Sequence, residues 1–285
     1  MPEVLVEIGG WTVSIILTEP GSRLEPAYRQ FLSSSYRKPN AEWKVEPEPI
    51  PSELDSAPPS PPPFPLWEIE RGERRTAFRL WKRMGSAELW KAARTDTGLS
   101  RGKIWTDRSS DSLAYPLRGL DQLLFAHFFL HRGGLIVHAA AAEISGRGYL
   151  FPAPAGGGKS TWAKLLGGVP GVNVLAEDKI VLRREGNNLR IFGTPWNPNP
   201  ESRVAGSAAL EGIFFLSHHP ENSLQPLEPA ETLRQLLQQS FLPFSALELE
   251  EALSILEDVT GAMVSSGFGF RPDRSAIEYF LTAIA

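Results

Sequence analysis

Short apolar runs with a two-residue period dominate the chain, and they give way in a few places to stretches with helical spacing. Residues 4–8 and 11–17, parted by Gly9-Gly10, predict a pair of strands, and a polar, loosely patterned stretch follows to about residue 45. Residues 66–70, 77–82, 88–93 and 103–106 are short, aromatic and alternating, with turn residues between them, which predicts an antiparallel meander. Residues 117–130 place apolar side chains at helical spacing and end in His131-Arg132-Gly133-Gly134, a basic, glycine-terminated stop. A buried strand over 135–144, a tight turn at Ser145-Gly146 and a partner strand over 148–151 come next. Further strands are predicted over 172–176, 180–183, 189–192 and 210–216, the middle two joined as a hairpin through Glu185-Gly186-Asn187-Asn188. Helical spacing marks 162–166, 230–239, 246–258 and 275–282.

This order of elements predicts an α/β fold in two regions: a smaller, mainly β region over 1–110 and an α/β domain with a mixed sheet over 111–285. Prolines crowd residues 46–65 of the first region, with five in the run 58–63. Such a run favours extended polyproline geometry and stays out of a central sheet. A surface connector is the leading reading, and a ligand for a proline-reading domain the other.

At 285 residues the chain is long enough for two cores. A net charge of −4 gives no electrostatic case for nucleic acid. There is no cysteine, which removes disulfides, thiolate metal sites and cysteine nucleophiles. Residues 1–17 lack the basic flank and cleavage site of a signal peptide, and the most apolar run, 123–130, is far too short to cross a bilayer. The expectation is a cytoplasmic protein with no membrane partner.

The most informative stretch is 148–161, Gly-Tyr-Leu-Phe-Pro-Ala-Pro-Ala-Gly-Gly-Gly-Lys-Ser-Thr. It reads as strand, glycine loop and helix start, the layout in which main-chain N–H groups wrap a polyphosphate at a helix N-terminus. Ala155, Gly156, Gly157, Gly158, Lys159, Ser160 and Thr161 would form the phosphate cradle, with Lys159 reaching the β and γ oxygens and the Ser160 hydroxyl facing Mg²⁺. The pattern usually opens with glycine where this chain has Ala153. The structural alternative is a glycine-rich turn that happens to precede Lys-Ser.

Residues 172–176 end in Glu177-Asp178, and carboxylates at a strand end just beyond a phosphate loop can hold Mg²⁺ or accept a proton from an attacking hydroxyl. Neighbouring strand residues point to opposite faces, so only one of the two is expected to face the nucleotide. Trp196, in Gly193-Thr194-Pro195-Trp196-Asn197, either packs in the core or stacks on a base. His127 and His131 stand four apart on a helix, a metal-ligand spacing with no third ligand in view, and a structural role is the expectation. His218-His219 before Pro220 reads as an exposed turn.

Residues 136–140 (Ile-Val-His-Ala-Ala), the loop 156–161, the acid pair and Gly193-Thr194-Pro195-Trp196 together resemble the HPr serine kinase/phosphorylase superfamily, over about residue 117 to the C-terminus. More narrowly they are similar to the HPr-kinase-related proteins of peptide-modification gene clusters. The resemblance implies a fold akin to the ATP-binding half of phosphoenolpyruvate carboxykinase, with ATP and Mg²⁺ as cofactors. It also implies roles for His138, Glu177 and Asp178: one acid is the base toward the acceptor hydroxyl and the other helps place metal, with Ser160 and Asp178 as the metal-facing pair. Lys159 stabilises the transferred group. The acceptor is a serine or threonine hydroxyl of a peptide or protein, or a small molecule. HPr kinases proper form hexamers, which leaves a homo-oligomer open. The paired aspartates of the family are Glu177-Asp178 here. That departure, with Ala153, motivates a second expectation: a nucleotide-binding protein that has lost catalysis and presents a peptide or partner.

Overall fold

A computed structural model describes residues 2–34, 38–55, 66–83, 88–242 and 245–285. The proline run 58–63 lies outside the described residues. Two compact units emerge, Met1–His131 and Arg132–Ala285, each built on its own mixed sheet. The fold is α/β. The first unit extends past residue 110 because the helix over 121–130 lends it its aromatic core.

In the first unit β1 (Glu3–Ile8) and β2 (Trp11–Ile16) form the expected antiparallel pair. The polar stretch before residue 45 contains a strand that the pattern does not predict, β3 (Ala41–Val45). Its five residues alternate Ala41, Trp43 and Val45 inward with Glu42 and Lys44 outward, too short a signal to stand out alone. It pairs in parallel with β2 and with β7 (Arg101–Thr106). The meander is present as β4 (Trp67–Arg71), β5 (Arg75–Trp81), β6 (Leu89–Asp96) and β7, so the sheet order is β1-β2-β3-β7-β6-β5-β4. After the short helix α1 (Ser110–Ala114) comes α2 (Asp121–Leu130), four residues later than its apolar pattern begins. Phe125 of α2 meets Trp43 edge-on at 4.9 Å, and Phe129 stacks on Trp11 at 5.8 Å. His127 is fully buried with its ring against Phe78, and His131 contacts Arg71, a packing role for the one and a polar contact for the other.

The second unit is organised around β8 (Gly134–Ile144). On one edge β8 pairs antiparallel with β9 (Arg147–Pro152), through a turn in which Ser145 and Gly146 both take positive φ. On the other edge lie β10 (Val172–Ala176) and β11 (Lys179–Glu185), end to end: Ala176 faces Ala141 and Lys179 faces His138. The hairpin partner β12 (Asn188–Gly193) leads to β13 (Ser207–His218), which runs parallel to β9 and to β15 (Val264–Phe270). The short β14 (Ser223–Pro226) closes that side. Neither β14 nor β15 is predicted from the pattern, since Val-Ser-Ser-Gly-Phe-Gly-Phe carries few β-branched residues and two glycines.

Helix α3 (Lys159–Gly167) follows β9 directly, and α4 (Pro229–Gln239), α5 (Ala246–Ala262) and α6 (Arg274–Ala283) complete the unit. An aromatic core anchors α3. Trp162 is fully buried and meets Phe151, Phe268 and Phe280 at 5.5, 5.1 and 5.4 Å. Rings of this size bury on the order of 150–250 Å² each, which makes the start of α3 one of the best-anchored points of the unit.

Candidate functional site

The carboxyl ends of the parallel strands β9, β13 and β15 lie together, the end of an open α/β sheet at which ligands usually sit. From β9 the chain turns through Ala153–Gly158 into α3, so the loop meets the helix N-terminus as the sequence predicts. Gly156 and Gly158 have φ of +78° and +99°. At Gly158 a side chain is excluded twice over, since a Cβ would also lie 2.7 Å from the Phe270 ring. Ala153, the departure from the usual glycine, is buried in the core beneath the loop. It touches the place where a Cβ on Gly157 would stand, at 2.8 Å. Ala153 therefore fits provided residue 157 stays glycine.

Lys159 folds back over its own loop, its Nζ donating to the carbonyls of Ala153 at 2.6 Å and Pro154 at 3.2 Å. Its side chain is largely buried, and burial lowers its pKa, with the Asp178 charge acting the other way. Ser160 and Thr161 are exposed on the first turn of α3.

Strand β8 brings the remaining predicted residues to the same place. His138 stands opposite Lys179 on one edge, while on the other Ala139 pairs with Pro152, from which the loop departs. Glu177 and Asp178 occupy the bend between β10 and β11, and the Ala139 N–H donates to the Asp178 carbonyl at 3.0 Å. Their carboxylates part company, as neighbouring strand positions should. Asp178 Oδ2 accepts from Lys179 Nζ at 2.5 Å. Glu177 is buried and its Oε1 accepts the Asn199 N–H at 3.1 Å. It lines a cavity of about 620 Å³ beside α3 together with Ser160 and Asn199.

The electrostatics tie three of these groups together. Burial works to raise the Asp178 pKa, but the Lys179 hydrogen bond and the charges of Lys179, His138 and Lys159 outweigh it and hold the carboxyl below its ordinary value. Burial pushes the His138 imidazole below its ordinary value; the Asp178 charge opposes that, and Lys179 and Lys159 add to it. At neutral pH the arrangement is an ionised carboxylate beside a neutral imidazole, with the Lys159 and Lys179 side chains close by.

Sequence reasoning missed two contributors. Asn197, 1% exposed, holds the acid bend: its Oδ1 accepts the N–H groups of Glu177, Asp178 and Lys179. Its Nδ2 donates to the Thr194 carbonyl at 3.0 Å, and Thr194 Oγ1 donates to the Lys179 carbonyl at 2.8 Å. The buried Asn follows Trp196, which is also buried, and only its place in the motif 193–197 hinted at it. His218 and His219 are exposed as expected, but His218 belongs to a strand end rather than to a turn. It ends β13, its ring lies 5.2 Å from Phe270, and its Cε1 is 3.1 Å from where a Gly158 Cβ would be, so the imidazole flanks the glycine loop.

The oxygen donors Ser160, Glu177 and Asp178 suit a hard cation such as Mg²⁺. Among the described residues no group of three or more His, Cys, Asp and Glu side chains forms a complete metal site. A cation here would therefore need oxygens from a phosphate ligand and water, the usual condition of Mg²⁺ on nucleotides. No described helix is long and apolar enough to cross a membrane.

No protein-family model matches the chain, and no curated protein matches it. Among solved structures it is similar to the Hpr(Ser) kinase/phosphatase from Coxiella burnetii, at 13% identity and a TM-score of 0.31, over 52% of this chain and 92% of that one.

Proposed function

We propose that the second unit is an ATP-dependent kinase that phosphorylates a serine or threonine hydroxyl of a peptide or protein, or a hydroxyl of a small molecule, at a site of the HPr-kinase type on a phosphoenolpyruvate-carboxykinase-like fold. One observation carries the reading: β8 gathers Lys159, His138 and Asp178 into mutual electrostatic contact at the start of a glycine loop that feeds a helix N-terminus. A structural turn needs no such gathering of two lysines, an imidazole and a carboxylate, of which Lys159, His138 and Asp178 each carry a desolvation cost.

The residues divide the work. Main-chain N–H groups of Ala155–Thr161 cradle the phosphates, and Lys159 releases its two carbonyl partners to meet the β and γ oxygens. Mg²⁺, if bound, would supply charge neutralisation for the phosphates; Ser160, with Glu177 on the same cavity or Asp178, would hold it. The acceptor oxygen forms its bond to the γ-phosphorus as the bond to the bridging β–γ oxygen breaks, and nucleoside diphosphate leaves. Asp178, kept anionic by Lys179, receives the acceptor's proton on Oδ1, and His138 lies beside it to share the charge.

Titration of ATP·Mg²⁺ followed by a phosphate-transfer assay tests this. Lys159→Ala should weaken nucleotide binding at least tenfold, and Asp178→Asn should keep binding while losing turnover by about a hundredfold or more. Unchanged binding and transfer in Lys159→Ala would remove the reading. The engagement of Glu177 with the Asn199 N–H favours the second reading, a nucleotide-binding protein without catalysis. ATP binding with no turnover on any acceptor would select it.

A further inference from the structure

The first unit carries a separate feature, on the face of its sheet away from α2. Strand partners share a face, so Lys44, Lys103 and Arg94 form one row across β3, β7 and β6. One step further along, Arg75 pairs with Asp96 across β5 and β6 and Arg101 with Glu42 across β7 and β3, and the Arg101 N–H donates to Asp96 Oδ2. One end of this face is closed. Leu54 packs there with Trp81, Leu89, Ala92 and Trp105, and Arg79 Nε donates to the Leu54 carbonyl at 2.9 Å. The other end opens into a cleft of about 540 Å³.

Six cations line that cleft (Lys44, Arg74, Arg75, Arg94, Arg101 and Lys103) against the carboxylates Glu42, Glu53 and Asp96, and even with the buried Glu46 counted the local balance is positive in a chain of net −4. Part of the positive charge is spent. Lys44 and Lys103 share the buried Glu46 at 2.8 and 2.7 Å, and Arg94 pairs with Glu53 at 2.8 Å. Asp96, between Arg75 and Arg101, is committed to the N–H groups of Ser100 and Arg101. Among the described residues Arg74, Arg75 and Arg101 have no carboxylate within ion-pair reach. Folding gains nothing from crowding uncompensated cations on one sheet face, since like charges on neighbouring strands repel.

We infer that this cleft binds an acidic peptide segment in extended form, with two of its carboxylates taken by Arg75 and Arg101. Those arginines stand two strands apart, roughly 10 Å at the usual strand spacing. An extended chain advances about 3.3–3.6 Å per residue, so acids three positions apart span the pair. Glu42, Glu53 and Asp96 interleave with the cations and would repel a continuous phosphate backbone. The aromatic side chain of the lining, Trp105, is buried and offers no ring for a base. Arg–carboxylate pairs are bidentate and selective where lysine is not, which suits a site whose free cations are all arginine.

Fluorescence anisotropy with the full chain tests the inference. The probe is a fluorescein-labelled Ser/Gly peptide with glutamates three apart; a lysine version of it and an eight-nucleotide oligothymidine serve as comparators. Saturable binding of the glutamate peptide is expected, weakened by raising salt and about tenfold or more by Arg75→Glu with Arg101→Glu. The milder pair Arg75→Gln with Arg101→Gln should weaken it to a smaller extent, with the far-UV spectrum and melting unchanged in both. Arg274→Glu, on an exposed helix of the second unit, should leave it alone, as should Lys159→Ala, so the result is independent of nucleotide chemistry. No saturable binding, binding indifferent to the arginine substitutions, or tighter binding of the oligonucleotide through the same arginines would each overturn the inference.

Discussion

Asn197 Oδ1 lies 2.9 Å from the main-chain nitrogen of Asp178 and accepts its N–H, with the amides of Glu177 and Lys179 donating to the same oxygen at 3.1 Å each. One side-chain amide thus sets the bend that separates the two carboxylates. Its other half completes the requirement, because Nδ2 must donate to the Thr194 carbonyl. A side-chain amide meets both demands at once, with a carbonyl acceptor and two donors on separate atoms of a short stem.

Asn197→Ala should strip three N–H groups, one buried and two part-buried, of their partner and destabilise the second unit by about 3 kcal/mol, measured by urea unfolding. Asn197→Asp keeps the acceptor but loses the donors and buries a charge beside two acids, so it too should destabilise the unit. Any phosphoryl transfer should fall in both variants more than ATP binding does, since the Asp178 carboxylate shifts while the glycine loop does not.

Gly158→Ala places a Cβ at φ +99° and 2.7 Å from the Phe270 ring. A loss of at least about 2 kcal/mol is expected from the backbone and the clash together. A thermal-denaturation cycle separates the two, because in a Phe270→Leu background the same substitution should cost measurably less. Phosphate binding should be lost in both backgrounds, since the loop can no longer hold its conformation.

His138 should titrate below its ordinary value of 6.5 in the folded chain, as followed by its imidazole NMR signals. Asp178→Asn removes the charge that supports the imidazolium and should lower that value further. Because the folded state binds the proton less tightly than the unfolded one, the stability linked to His138 is full above pH 6.5 and is lost as pH falls below it.

Lys91 offers a second titration, in the first unit. It is fully buried, with Nζ donating to the Tyr115 carbonyl at 2.7 Å and lying 4.7 Å from the Trp90 ring centroid. Burial lowers its pKa to about 8, against the opposing charges of Asp121 and Glu25. The folded state releases this proton near pH 8 and the unfolded state near 10.5, so stability should rise with pH between those values, by about 3 kcal/mol. The difference between the parent chain and Lys91→Met, measured by urea unfolding from pH 7 to 10.5, should show that slope; a flat difference would contradict it.

Local pattern carried much of this protein. Strand, glycine loop and helix over 148–166 are legible because each has a short-range cause: an apolar run, φ values only glycine accepts, and amphipathic spacing. The hairpin at Gly186-Asn187 and the meander from β4 to β7 are local in the same sense. What escaped notice was made by distant partners. Strand β3 exists because β2 and β7 hold it in parallel on both edges, and β15, with two glycines, because β13 and β14 flank it.

The amino-acid sequence by itself determined the elements, the glycine loop and the presence of an acid pair after it, since backbone sterics and hydrophobic periodicity act over a few residues. Tertiary structure alone decided that His138 and Asp178 come within electrostatic reach of Lys159, that Asn197 shapes the acid bend, that His218 flanks the loop, and that six cations line one cleft. Those relations join positions tens of residues apart through strand pairing, and burial and charge then act on whatever the pairing brings together.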